Sequence, residues 1–390
     1  MLDRQAEADA NVPPHPIMPG ERIVALDVFR GFAMFGVLIA YAAWSLGTSP
    51  EETWGPLDNA LGEAIGFAVD GKFYTILAML FGLGFCLQLS QARQARDDAI
   101  ELYLRRLIVL ASFGLVHSLL LRDGDILLPY ALTGLFLVPF HRASDRVVLV
   151  TAFLVLLVPI AARFLWQASG WPLPERPGDV EGEIAKNVAW VRYWYATAIF
   201  NWPQNLTLFL FGLYAGRHNL VARLANRSRA ALAVFLAGIA ASILFYWVRA
   251  TLVAHAPENP SVLQSGAFSL LLTFHAWCLA AAYLAGLLLL LRKWPGSRAL
   301  QALGAVGRMA LTNYLMQAAL IVPLCLAFGW FDTWTPSRSL LLAVSLFVLV
   351  QVPFSLFWLH HFDFGPAEWL WRVLTYGGKI PIRRQLAVPL

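Results

Sequence analysis

Ten stretches of this sequence are apolar over lengths that water does not tolerate: about 24–44, 68–90, 104–121, 126–140, 147–166, 198–216, 230–250, 266–291, 309–329 and 338–359. Coiled into an α-helix, a run of roughly 18 or more such residues reaches across a hydrocarbon core of about 30 Å. Inside that core a helix satisfies its own backbone polar groups, which an open strand cannot do. Composition agrees. The 390 residues are 59% hydrophobic and 14% charged, with a mean hydropathy of +0.62, against about 45–50% and 25% in soluble domains. The chain therefore reads as all-α, a polytopic transmembrane helical bundle of about ten spans whose first partner is the lipid bilayer. The fourth stretch is short for a crossing and reads equally as a re-entrant or buried helix.

The net charge of +5 is distributed as membrane topology. Basic residues recur in alternate connections: Arg93, Arg96, Arg105 and Arg106; Arg142 and Arg146; Arg217, Arg223, Arg227 and Arg229; Arg292, Lys293, Arg298 and Arg308. Residues 45–70 carry none, but hold Glu51, Glu52, Asp58, Glu63 and Asp70. Basic loops favour the cytoplasmic side, so both termini are expected inside and nucleic acid is not expected as a partner. Residues 1–20, rich in proline, read as a disordered cytoplasmic tail. Residues 21–376 form one transmembrane domain with a long outer loop at about 167–197, and 377–390 form a basic cytoplasmic tail. The aromatics of that loop (Trp171, Trp190, Tyr193, Trp194, Tyr195, Trp202) suit either an interfacial belt or a lid over an outward-facing site. Cys86, Cys278 and Cys325 lie in apolar segments without metal-ligand spacing, so neither a metal site nor a disulfide framework is expected.

Ionisable residues inside apolar runs are costly and mark candidate sites. His117 stands in the third run, which opens with Arg105 and Arg106 and ends in Arg122-Asp123-Gly124-Asp125. An imidazole is a candidate general base, and Asp123 or Asp125 would orient it if the turn folds back. Asp27 and Arg30, three residues apart, share a helix face and read either as a structural ion pair or as part of a phosphate contact, to which arginine's fork is suited. Arg308 and Asn313 belong with them on the inner side. Asp70, Lys72, Asn205 and Gln317 are candidates for substrate contacts, although interhelical hydrogen bonding is the plainer role for the amides. Gly82 and Gly84 read as close-packing positions, and His275 as a satisfied core residue.

Five blocks, in order, resemble the YeiB-like family of bacterial membrane proteins of unknown function: RIVALDVFRGFAMFGVLIAY (22–41), DGKFYTILAMLFGLGFCLQ (70–88), RRLIVLASFGLVHSLLLRDGDILLPYALTG (105–134), GRMALTNYLMQ (307–317) and GPAEWLWRVLTYG (365–377). In the last block Glu368 and Arg372, four apart, are expected as a helix pair at the inner surface. That family looks like a distant relative of transmembrane acyltransferases such as heparan-alpha-glucosaminide acetyltransferase, chiefly through Asp27-x-x-Arg30-Gly31. The resemblance implies a bacterial inner-membrane protein. It also implies acyl transfer from acetyl-CoA or another acyl-CoA as co-substrate, with no permanently bound cofactor, to an envelope glycan, lipid or other small acceptor. The relative's loop histidine has no counterpart, since residues 42–69 contain none, and Tyr41 stands where the relative has asparagine. His117 is the replacement expected here. A proton-coupled transporter or lipid-handling protein is the competing reading, and a non-catalytic scaffold a third.

Overall fold

A computed structural model describes residues 24–45, 54–94, 99–121, 124–178, 181–329, 334–378 and 380–383. The expected N-terminal tail, most of the C-terminal one, and Asp123 lie outside the described residues. All ten apolar runs coil into helix. In chain order the helices are α1 (Val24–Ser45), α2 (Pro56–Ala68), α3 (Lys72–Gln94), α4 (Ala99–Leu120), α5 (Leu127–Leu135), α6 (Asp145–Ser169), α7 (Glu183–Ala196) and α8 (Pro203–Arg217). They continue with α9 (Ser228–Ala254), α10 (Val262–Lys293), α11 (Arg298–Arg308), α12 (Ala310–Phe328), α13 (Pro336–Leu346), α14 (Val352–His361) and α15 (Pro366–Tyr376). Shorter helical turns join some of them.

Among the described residues six segments are long and apolar enough to cross a membrane: Val24–Ala43, Pro56–Ser90, Asp145–Ser169, Ser228–Ala254, Val262–Lys293 and Pro336–His361. Length and apolarity alone thus carry six crossings rather than the ten expected. The fourth apolar run shows why. Its helix α5 has nine residues, about 13 Å at 1.5 Å per residue, and it packs back on α4 and α8 inside the bundle.

The bundle is organised around α1, which meets α3, α10, α11, α12 and α13. Val28, Phe29, Ala33, Val37 and Leu38 are its buried face. Two crossings are closed by glycine pairs. A Cβ on Gly31 would collide with the Leu303 carbonyl, and one on Gly307 with the Asp27 carbonyl, so α1 and α11 touch backbone to backbone. Gly82 of α3 and Gly212 of α8 do the same, against the carbonyls of Phe209 and Met79. Small residues serve this purpose where lipid supplies no hydrophobic drive for helix association. Gly84, expected as a partner of Gly82, faces open space instead.

Two polar networks hold the interior. Residues 347–351 form a π-helical turn between α13 and α14, and the extra residue places Gln351 among the buried amides. Gln317 Nε2 donates to the Met34 carbonyl (3.1 Å) and to Gln351 Oε1 (3.3 Å), while Gln351 Nε2 donates to the Asn313 carbonyl (3.0 Å). Asn313 Nδ2 donates to the Val306 carbonyl (3.1 Å) and Ser355 Oγ (3.0 Å). The second network closes α2, whose C-terminal carbonyls end inside the protein. Lys72 Nζ donates to Gly66 (2.8 Å), His275 Nε2 to Phe67 (3.1 Å) and the Tyr283 hydroxyl to Ala68 (2.9 Å). A helix end leaves such carbonyls without intrahelical partners.

Candidate functional site

A cavity of about 410 Å³ opens between α1, α3, α4, α5, α11, α12 and α15. Its lining brings together four guanidinium groups, Arg30, Arg106, Arg308 and Arg372, and two carboxylates, Asp27 and Glu368. Each arginine is braced. Arg30 Nη1 lies 3.2 Å from Asp27 Oδ1 on the same face of α1. Arg106 donates to Gln88 Oε1 at 2.6 Å and lies 4.7 Å over the Trp371 ring, whose indole in turn donates to the Arg106 carbonyl at 3.1 Å. Arg308 Nη2 donates to the Asp363 carbonyl (3.3 Å), and Arg372 lies 4.4 Å over Phe364.

Glu368 occupies the start of α12. Its Oε1 accepts from the backbone N–H groups of Leu311 (2.7 Å) and Thr312 (3.1 Å), and its Oε2 from the Thr312 hydroxyl (2.5 Å). A carboxylate suits a helix N-terminus for its unpaired N–H groups and dipole. Burial raises the Glu368 carboxyl above the usual carboxylate range, and these hydrogen bonds oppose the shift. The expected Glu368–Arg372 helix pair is thus drawn into separate duties, one capping α12 and the other stacking on an aromatic ring. With Glu368 engaged, the cavity's remaining character is cationic, the environment that attracts phosphate and carboxylate.

Apolar side chains (Leu26, Leu77, Leu80, Leu107, Leu110) and the Tyr314 ring complete the lining. Behind Tyr314 lies His117. The two rings stack at 4.9 Å with an interplanar angle of 29°. His117 is 1% exposed, and its Nδ1 lies 3.2 Å from Asp125 Oδ1. The contact is close but poorly aligned for a hydrogen bond, and Nε2 has no partner among the described residues. The turn after α4 does fold back, as orientation of His117 required. Asp125 Oδ2 accepts from the Leu128 N–H at 2.7 Å and so caps α5, while the Tyr314 hydroxyl donates to Asp125 Oδ1 at 3.2 Å and accepts from the Ile126 N–H at 3.1 Å. Gly114 permits this, because a Cβ there would meet the Leu128 nitrogen and, at 2.6 Å, Asp125 Oδ2. Tyr41 and Tyr74 lie within electrostatic reach of Tyr314. Burial first, and the Asp125 charge second, hold the phenol of Tyr195, from α7, well above the usual tyrosine range.

Of the residues expected from sequence, Asp27, Arg30 and Arg308 line the cavity, and His117 meets Asp125 behind Tyr314. Asn313 and Gln317 sit in the buried amide network, away from the cavity lining. Lys72 caps α2, with Asp70 close by. Asn205 is half-buried near the start of α8 and does not line the cavity. Arg106, Gln88, Tyr314 and Tyr195 join the site from tertiary structure. Tyr314 sits within the GRMALTNYLMQ block and Arg106 stands near the start of the block that carries His117, the one sequence cue for either. Lys72→Met is expected to lower stability by about 1–3 kcal/mol, the cost of orphaning a buried carbonyl, without altering ligand binding at the arginines. Unfolding midpoints with and without ligand would check both halves.

Comparison with known proteins places this architecture in a family. The profile described as "Protein of unknown function (DUF418)" matches residues 215–378. An uncharacterised 39.9 kDa protein from the amylase 3′ region of Bacillus acidopullulyticus is 32% identical over 384 residues, covering 94% of this chain and 97% of its own. The uncharacterised protein YxaH of Bacillus subtilis is 28% identical over 413 residues (96% and 99%), and YeiB of Escherichia coli 28% over 401 residues (91% and 96%). No solved structure matches. Six membrane-length apolar helices and near end-to-end similarity to these bacterial proteins mark the chain as a multi-pass membrane protein of the YeiB-like, DUF418 family, whose function is unknown.

Proposed function

We propose that this protein is an integral membrane acyltransferase that takes an acyl group from a phosphate-bearing thioester such as acetyl-CoA. The observation that carries the reading is one cavity lined by four arginines and, behind its Tyr314 wall, a buried His117–Asp125 pair. Arginine forks bind phosphate oxygens bidentately, and the apolar middle accommodates a pantetheine-like arm. A volume of about 410 Å³ suits a ligand of drug size, so the nucleotide end of such a donor would remain outside. In the transfer, His117 takes the proton of an acceptor hydroxyl as the new carbon–oxygen bond forms and the carbon–sulfur bond breaks. It then returns that proton to the departing thiolate, giving ester and free thiol. Tyr314 must move aside for donor and imidazole to meet. The basic connections orient the arginine end toward the cytoplasm, with the acceptor approaching from the opposite face of the inner membrane.

Thermal unfolding of purified protein with acetyl-CoA tests the donor site. A ligand that binds only the folded state at a hundred times its Kd stabilises by about 2.7 kcal/mol, a shift of a few degrees. Arg30→Ala and Arg106→Ala are expected to abolish most of this shift and His117→Ala to retain it. No shift at millimolar thioester in folded protein would sink the donor assignment. The same cationic, partly apolar cavity also suits an anionic lipid headgroup. A midpoint raised by anionic phospholipid but not by any thioester, with no thiol released, would move the protein to lipid handling.

A further inference from the structure

We propose that the arginine-lined cavity takes an anion carrying a slender, unbranched arm, and that Gly84 of α3 sets the girth of that arm. The proposal deepens the acyl-transfer reading and rests on it only in naming the arm as that of a phosphopantetheine thioester. The alkyl chain of a single-chain lipid phosphate presents the same chemistry.

Two glycines of α3 behave oppositely. A Cβ on Gly82 would run into the Phe209 carbonyl, whereas one on Gly84 would meet nothing within 4 Å. At 3.6 residues per turn the two lie about 200° apart round the helix, so the face that closes on α8 is not the face that carries Gly84. Gly84 lines the cavity, and the space left by its missing side chain belongs to that cavity. Glycine inside a helix is less stable than alanine, and helix packing does not demand it here. What Gly84 supplies is room for a ligand against the α3 backbone.

The rest of this face orders the chemistry along α3. Leu77, Leu80, Phe81, Leu87 and Gln88 line the cavity with Gly84. Gly84 stands three or four residues from Leu80, Phe81, Leu87 and Gln88, so it is the centre of one helix face. From Leu77 to Gln88 that face runs about 16 Å at 1.5 Å per residue. Its polar end is Gln88, whose Oε1 accepts from Arg106 at 2.6 Å. A guanidinium only donates, so this contact fixes the amide and leaves Nε2 as a second donor. Gln88 is 8% exposed, and its Nε2 is buried with no hydrogen-bond partner among the described residues. Native proteins leave few such donors unmet. An anionic oxygen shared with Arg106 would meet this one. An arm attached to that anion then has the gap at Gly84 one helical turn away, with Leu80 and Leu77 beyond it.

The test compares alkyl phosphates by titration calorimetry on the full-length protein in detergent. Each methylene buried strengthens binding about fourfold, so hexyl phosphate is expected to bind the wild type about 15-fold tighter than butyl phosphate. Gly84→Leu fills the gap and should cut that ratio to about threefold or less, while inorganic phosphate, which has no arm, binds as before. S-acetyl-4′-phosphopantetheine should lose about tenfold or more in the same variant. If Gly84→Leu fails to fold, Gly84→Cys supplies the same comparison in protein already folded. Capping the introduced thiol with a propyl methanethiosulfonate should remove the hexyl gain, capping with the methyl reagent should remove less of it, and hexyl phosphate should slow either capping. A hexyl-to-butyl ratio near one in folded wild type, or an undiminished ratio once the gap is filled, overturns the proposal. Thioester binding that filling the gap leaves untouched keeps the donor site and overturns the part given to Gly84. The full alkyl ratio, lost on filling the gap, with no binding of the phosphopantetheine thioester, keeps the arm site and removes the acyl-transfer reading alone.

Discussion

His117→Ala is expected to lower thioester-dependent transfer by roughly 10²–10⁴-fold, the range a positioned general base contributes, while leaving the acetyl-CoA stabilisation intact. The two readouts separate because His117 stands behind Tyr314, outside the cavity lining, so its loss does not touch the arginines. Asp125→Asn is the more informative companion. Its amide oxygen can still accept from the Leu128 N–H and keep α5 capped, while the amide nitrogen replaces the oxygen that accepts from the Tyr314 hydroxyl and the negative charge beside His117 is gone. A large fall in turnover in a protein whose midpoint drops only by the loss of about one hydrogen bond, about 0.5–1.5 kcal/mol, would assign Asp125 to positioning the imidazole. Equal turnover in wild type, His117→Ala and Asp125→Asn would refute any catalytic part for the pair.

Gly307→Ala is expected to be among the most destabilising single-methyl changes in the chain. Its Cβ would be driven into the Asp27 carbonyl, and the reciprocal contact of Gly31 with the Leu303 carbonyl leaves neither helix room to give. Overpacking of this kind costs about 1–3 kcal/mol or more. Here the colliding atoms are backbone, so no rotamer change relieves them. Because α11 ends in Arg308 and α1 carries Asp27 and Arg30, separating the helices also spreads the anion-binding end. A lowered unfolding midpoint and a lost acetyl-CoA shift should therefore appear together. Gly84→Ala is the control. Nothing lies within 4 Å of its added Cβ, and replacing glycine by alanine inside a helix gains about 0.5–1 kcal/mol. If Gly307→Ala matched Gly84→Ala in midpoint, the close crossing of α1 and α11 would be refuted.

Much of this protein was determined by sequence alone. Apolar runs of this length with few charges form helices in a bilayer, because a helix satisfies every backbone group within its own segment. All ten runs are helical, and their bounds follow the hydropathy to within a few residues, because local composition is the property that decides them. Asp27 and Arg30 pair as their spacing requires. His117 and Asp125 also stand out in sequence, as ionisable groups at the two ends of one apolar-to-polar turn.

What touches what was decided by tertiary structure. Lys72 and Gln317 look like substrate contacts in a linear reading, but the carbonyls they satisfy belong to the end of α2 and to Met34 of α1, which come near only when the helices pack. The nine residues of α5 could not be told from a crossing by composition. Their place inside the bundle depends on Gly114, whose missing side chain admits the Asp125 turn. Arg106, Tyr314 and Tyr195 are ordinary in sequence. They acquire a place only through packing, which sets Arg106 against Gln88 and Trp371 and Tyr314 against Asp125 and His117. Hydrophobic periodicity records how a helix meets its surroundings on average. It holds no information on which neighbour supplies the partner for a given polar atom, and in an apolar interior those few polar pairings fix the geometry of the site.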